Sequence, residues 1–530
     1  MTATLDAAPI TSARVVDAPP PAPLPSWRER LLPAVSGHGG WIGTIAIGLI
    51  GGFLRIFRLA TPTGKIFDEI YYACDAQNLM RFGVEVGTQS DPTNSDVAMK
   101  CIPNGQAGFI VHPPLGKWLI QLGYRAFGVN EFGWRIAAAV AGTIMIVALV
   151  RVTRRMTGST LLGCLAGLLL SIDGLHFVQS RVAMLDIFLA MFVLLAFAFL
   201  VVDRDAVRKR LATASDDELA GYGPRLGWRP WRLLAGVSAG AALATKWSGL
   251  FSLAALILLA FAWEVGARRT AGVRSPVRAT LVRSTPTALA VLLVLPVALY
   301  VVAWAGWFAS STGYDRQWAA SHPATGLTQL VPAGLRSWWQ YHDEIFGFHN
   351  NLTAKHPYQS HPAGWLLLFR PVSYYYPQNI KAGQFGCKVE NCSREVLAIG
   401  TPIIWWGFTV AIVALLWLWI AKRDWRPAAV LALVAVNILP WIRDDLHGRT
   451  MFNFYALPAV PFMCLGLALV AGWALGGAGA SARRRASAAV GIGVFVAAAI
   501  VNFAYLYPVL AAQTLPYADW ANRMWFSSWI

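Results

Sequence analysis

The sequence predicts an all-α polytopic membrane protein, and three observations carry that prediction. Hydrophobic residues make up 56% of the 530 and charged residues only 13%, too few to cover a soluble chain of this size. The mean hydropathy is +0.50, and 24 residues are Trp, the side chain that favours membrane–water boundaries. Apolar stretches recur along nearly the whole chain, separated by short basic or aromatic connections.

Taken in order, residues 1–35 are rich in Ala and Pro (19–23 read PPPAP), cannot build a core, and read as a disordered cytoplasmic tail. This tail is too long and polar for the n-region of a cleaved signal peptide, so the first span, 41–60, is expected to stay in the mature protein. Further spans are expected at 134–152, 160–178, 183–202, 233–249, 250–267, 286–308, 399–421, 427–442, 452–474 and 487–508. Each can cross about 30 Å of hydrocarbon with some tilt. That makes about eleven in one transmembrane domain, 36–530. The long connections 61–132 and 309–398 are rich in Trp and Tyr, which suits short amphipathic helices lying along the membrane.

The net charge of +17 could suggest nucleic acid, but its placement argues otherwise. Arg28, Arg30, Arg154, Arg155, the run from Arg204 to Arg232, Arg268 to Arg283, Lys422 to Arg426 and Arg483 to Arg485 fall on one side if the spans alternate. That is the orientation signal of a bilayer, placing the N-terminus in the cytoplasm and the C-terminus outside. Both long connections then face outwards. Cys74 and Cys101 lie in the first and Cys387 and Cys392 in the second, which suits an oxidising compartment. Three pairings are open. Four residues separate Cys387 from Cys392, a spacing a tight loop can bridge; Cys74 or Cys101 is the alternative partner for either. There is no zinc-site spacing, P-loop, GxGxxG or GxSxG, so no metal or nucleotide cofactor is expected.

The candidate chemistry clusters at the outer ends of the spans. Asp68 and Glu69 follow the first span directly, and ionised groups there are costly without a task or a partner. The bland alternative is a solvated acid pair. His112 and Lys117 share the same connection. Arg181 and Asp186 stand where two spans join without a soluble loop, and a self-neutralising Arg–Asp pair is the structural alternative. Lys246 ends the fifth span, where a snorkelling lysine is the plain reading. Arg449 breaks the inside bias, and its planar fork suits phosphate.

Together these residues fit an enzyme using a lipid-phosphate-linked sugar. A phosphate held by cations leaves without a general acid, so one carboxylate acting as base on the incoming hydroxyl suffices, with inversion. A glycosidic hydrolase would instead need two flanking carboxylates, and neighbours such as Asp68 and Glu69 diverge. Which of the two is the base stays open. A lipid flippase or secondary transporter would need polar residues through the midplane, and these are absent.

The chain resembles the actinobacterial protein O-mannosyltransferases of the GT-C superfamily. The stretches that carry the resemblance are FDEIYY (67–72), HPPLGKW (112–118), FGWRIAAA (132–139), QSRVAMLDIF (179–188), ATKWSGLF (244–251), the run 356–377 and FNFYALPAVPF (452–462). The resemblance implies inverting transfer of mannose from polyprenyl-phosphate-mannose to Ser/Thr hydroxyls of exported proteins at the cell membrane. It implies no required metal, and a secretion translocon belongs among the partners to test. It places the catalytic motif on Asp68 and Glu69, favouring the Asp as base, and the family's arginine of the second span on Arg135. Eukaryotic members carry a β-trefoil domain in the long outer loop, for which 309–398 is too short, so acceptor recognition differs. A GT-C enzyme with a glycolipid or polysaccharide acceptor is the rival reading.

Overall fold

The computed structural model describes residues 26–32, 39–89, 99–477 and 479–530. Its framework is a helical bundle. The spans are α1 (Trp41–Ile56), α4 (Glu131–Thr157), α5 (Thr160–Ser171), α6 (Asp186–Ala212), α7 (Pro230–Thr245), α8 (Gly249–Thr270), α9 (Thr285–Ala303), α11 (Pro402–Ile420), α12 (Trp425–Leu446), α13 (Asn453–Leu475) and α14 (Ala482–Leu510). Eight of them are long and apolar enough to cross a membrane; α1 and α5 are shorter apolar helices and α7 has 16 residues. Each expected span therefore overlaps a helix among the described residues, though 160–178 is divided: α5 ends at Ser171 and a short helix, Gly174–Gln179, follows. Most of α6 and α13 is buried, so they form the bundle's centre, whereas α9 and α14 keep most of their surface outward.

Local chemistry sets the joins. Gly158, at φ 76°, ends α4 in the left-handed region, and the Ser159 hydroxyl at once caps α5 by accepting from Leu162 N–H at 3.3 Å. Two spans thus reverse within two residues. α9 contains a π-helical turn at Ala290–Val294, ahead of Pro296. It lies so close to α7 that a Cβ on Gly236 would meet the Val291 carbonyl oxygen at 2.0 Å.

Residues 57–89, 99–130 and 304–401 lie at one end of the bundle, the loop end. Here the structure differs in part from the expected in-plane helices. Helices α2 (Glu69–Phe82), α3 (Leu115–Phe127) and α10 (Ala333–Asn350) form, but three small antiparallel sheets accompany them. Val86–Thr88 pairs with Pro103–Ala107, Val372–Tyr375 with Val396–Ala398, and Asn391–Arg394 lies between Ile380–Lys381 and Thr514–Pro516. Strands of two to five residues are too short to show a period of two. Disulfides join Cys74 to Cys101 and Cys387 to Cys392, so each pair closes within its own segment.

At the opposite, basic end, several arginines are matched by acids. Arg229 and Arg232 share Asp203 and Glu264, and Arg155 and Arg204 share Asp205. The expected disordered tail needs a correction where it is described. Residues 1–25 and 33–35 lie outside the described residues, but Trp27–Leu31 is helical. Ser26 and Glu29 form a capping box, Leu31 is buried, and Arg28 donates to the Ala212 and Ala214 carbonyls.

Candidate active site

Phe67 has φ +48°, a conformation costly for an aromatic residue. It is held there by stacking on Tyr374 at 4.3 Å, with Phe452 and Phe454 edge-on. The next residue, Asp68, sits at the N-cap of α2, and Glu69 opens the helix. Successive residues at a helix start diverge by about 100°, so the two carboxylates enter different surroundings.

Glu69 is fully buried and accepts four hydrogen bonds. Arg135 Nε and Nη2 fork onto it at 2.9 and 2.8 Å, and the backbone N–H groups of Ala183 and Ile66 donate at 2.9 and 3.0 Å. Arg135 also donates to the Pro62 and Gly64 carbonyls at 2.7 and 2.9 Å. This pair ties the start of α2 to α4. Placing Glu69 beside Asp68 as a catalytic candidate is therefore corrected: its carboxylate has no capacity left for substrate.

Asp68 is half-buried and accepts a hydrogen bond from the Tyr72 hydroxyl. Burial pushes its carboxyl up to about 6, with the Lys246 ammonium pulling down and the Asp186 carboxylate pushing up. Lys246, at the C-cap of α7, bonds both Asp186 oxygens at 2.9 and 3.1 Å. Asp186 thus pairs with Lys246 and not with Arg181. The same ammonium lies 4.7 Å from the Tyr455 ring centre. Arg449 also approaches that ring, its guanidinium 6.0 Å from the Tyr455 centre and 5.3 Å from that of Trp441.

Arg449 keeps donors to spare. Nη1 reaches Asp444 at 3.6 Å, Nη2 donates to His349 Nδ1 at 3.3 Å, and the buried Nε has no partner among the described residues. His349 Nε2–H donates to the Val111 carbonyl at 2.8 Å, which fixes the tautomer with Nδ1 as acceptor. Burial holds His349 down to about 4, with Arg449 and Lys246 adding to the effect. His112 stacks on it at 5.2 Å and is held well below the usual range by burial and the same cations.

Two cations expected to face the phosphate are engaged elsewhere. Arg181 donates to the carbonyls of Leu54, Arg55, Phe57 and Arg58 at 2.7–3.2 Å. Leu54 and Arg55 belong to the last turn of α1, whose carbonyls lack helical partners, and Phe57 and Arg58 follow it directly, so Arg181 is a C-terminal cap. Lys117, 1% exposed, pairs with Asp75 at 2.8 Å, beside Glu85, whose carboxyl burial pushes up to about 7. The structure therefore gathers Asp68, Asp186, Lys246, His112 and Arg449, and sets Glu69, Arg135, Arg181 and Lys117 into the supporting frame. His349, Tyr72 and Tyr455 join the site without having been singled out. Among the described residues, no three His, Cys, Asp or Glu side chains are grouped to hold a metal ion.

A helical bundle with a half-buried carboxylate, a Lys–Asp pair and an arginine at its loop end is the arrangement of a GT-C membrane glycosyltransferase. The fold matches a solved S. cerevisiae structure, the protein O-mannosyltransferase Pmt1-Pmt2 complex bound to the sugar donor. The TM-score is 0.69 over 94% of this chain and 93% of that one, at 14% identity. Residues 45–309 match the family described as dolichyl-phosphate-mannose-protein mannosyltransferase, and 334–529 match the C-terminal four-span region of protein O-mannosyltransferase. A polyprenol-phosphate-mannose–protein mannosyltransferase of Mycobacterium tuberculosis is 38% identical over 92% of both chains. One of Corynebacterium glutamicum, with the same name, is 32% identical over 96% of both. The chain belongs to the dolichyl-phosphate-mannose-protein mannosyltransferase family.

Proposed function

We propose that this glycosyltransferase moves mannose from polyprenyl-phosphate-mannose to Ser/Thr hydroxyls of exported proteins, with inversion and without a required metal. The observation that carries the assignment of roles is the state of the two adjacent acids: Glu69 is saturated by four donors, while Asp68 faces the Lys246–Asp186 pair with one donor of its own. Asp68 accepts the acceptor hydroxyl's proton as the oxygen attacks the anomeric carbon from the side opposite the phosphate. Arg449, with an unpartnered Nε, and Lys246 hold the phosphate as negative charge grows on it. The donor is supported by the names of the relatives that share 92–96% of the chain.

The loop end is read as extracytoplasmic, with the N-terminus inside, from the run of arginines at the other end. A reporter fused after Ile530 should be active only outside; activity confined to the cytoplasm overturns that orientation. Purified protein given polyprenyl-phosphate-mannose and a Ser/Thr/Pro-rich peptide should yield α-linked or β-linked product of one anomer only, opposite to the donor's. A protein that ignores the peptide but glycosylates a glycolipid or polysaccharide would replace the protein acceptor with its rival. Co-purification with the secretion translocon tests whether acceptors arrive during export.

A further inference from the structure

A second site lies at the basic end, away from the reaction centre. A cleft of about 400 Å³ opens where the α4–α5 turn meets the ends of α11 and α13 and the start of α14. It is separated from the loop end by the length of α13, 23 residues or about 34 Å of helix. Leu162, Leu418 and Leu469 form an apolar wall, and Arg426 and Arg484 stand among the lining residues.

The two arginines are not equivalent. Arg426 forks onto Asp424, with Nε–Oδ1 at 2.9 Å and Nη2–Oδ2 at 2.6 Å, and is neutralised there. Arg484 has no acidic partner among the described residues. Its Nε and Nη2 donate to the Ala474 and Trp473 carbonyls at 3.1 and 2.7 Å, which fixes the guanidinium against Gly476. The cleft therefore carries one uncompensated positive charge. Beside it the exposed rings of Trp417 and Trp473 meet at 5.4 Å, and the Lys422 ammonium lies 5.0 Å from the Trp417 centre.

An apolar slot between membrane helices, a fixed cation and indoles flanked by a lysine match an anionic amphiphile. A free phosphate would leave the leucine wall unused. A zwitterionic headgroup would bring an ammonium to a place where Asp424, the one carboxylate among the described lining residues, is already taken. We infer that this cleft binds one anionic glycerophospholipid, its phosphate on Arg484 and an acyl chain along Leu162, Leu418 and Leu469.

The test is native mass spectrometry of the full chain in mild detergent, with phosphatidylglycerol and phosphatidylcholine of equal chain length. Wild type should retain one phosphatidylglycerol in preference to phosphatidylcholine. R484Q should bind it about five- to tenfold more weakly, as loss of one cation near an anionic headgroup requires. R483Q, which removes the same charge from a neighbour outside the cleft, should bind as wild type does. L469W keeps Arg484 but fills the slot, and should lose the lipid too. Equal retention of both lipids, an equal loss in R483Q, or full retention in L469W overturns the proposal. Displacement of the lipid by millimolar inorganic phosphate would reduce the site to a phosphate site and overturn it as well.

Discussion

The acidic limb of the pH profile is the sharpest test of Asp68 as base. An ordinary aspartate titrates near 4, and would leave activity flat from pH 5 upwards. Here burial outweighs the Lys246 ammonium and moves the carboxyl to about 6, so it is about 90% ionised at pH 7, half at pH 6 and about 10% at pH 5. The base works only when ionised, so kcat/KM, which reports the free enzyme, should halve near pH 6 and fall about tenfold per unit below pH 5. Lys246→Met removes the charge that lowers this value and leaves Asp186 to raise it, so the limb should move to higher pH. Asp68→Asn should lose about 10²–10⁴ in turnover and abolish the limb, while donor binding survives. The assay is mannose transfer by purified protein between pH 4 and 8, with the donor saturating and then limiting. A flat profile, or the same limb remaining in Asp68→Asn, would refute the reasoning.

Glu69→Gln should act on the fold: breaking its fully buried pair with Arg135 should cost about 3–5 kcal/mol, read as a lower thermal midpoint. A variant as stable as wild type but inactive would return Glu69 to the chemistry. Arg449→Ala should weaken the donor by about 2–5 kcal/mol in kcat/KM, and unchanged donor dependence would move the phosphate site. Arg181→Gln should lower stability and leave the donor KM unchanged, because its fork caps α1. Cys74→Ser with Cys101→Ser opens a loop whose ends are 27 residues apart, and the chain-entropy estimate is a loss of about 3–4 kcal/mol. Thiol labelling of both cysteines in untreated protein would count against the bond.

The helices of the bundle are legible because a bilayer demands long apolar runs, and such runs survive without knowledge of any contact. The loop end is less so: the strand Asn391–Arg394 pairs locally with Ile380–Lys381 but takes its second partner, Thr514–Pro516, from over a hundred residues on. Among the site residues, the sequence shows which side chains gather at one end but not how they pair. Arg181 and Arg449 look alike as letters. Only the ending of α1 beneath Arg181 supplies the carbonyls that engage it. His349 lacked any signal beyond a histidine in an aromatic helix, and its role beside Arg449 comes from tertiary packing. The raised pKa of Asp68 is out of reach of the sequence for the same reason, since burial is a property of the fold.

The saturation of Glu69 has a consequence for the residue before it. Adjacent Cα atoms are about 3.8 Å apart across a planar unit. A side chain clamped by two guanidinium bonds and two amides therefore serves as a datum for its neighbour, and the Asp68 carboxylate is located to within its own two torsions. Positional error in the reaction then arises from the arriving partners, whose lipid and peptide chains have many more rotatable bonds than the residue that receives them.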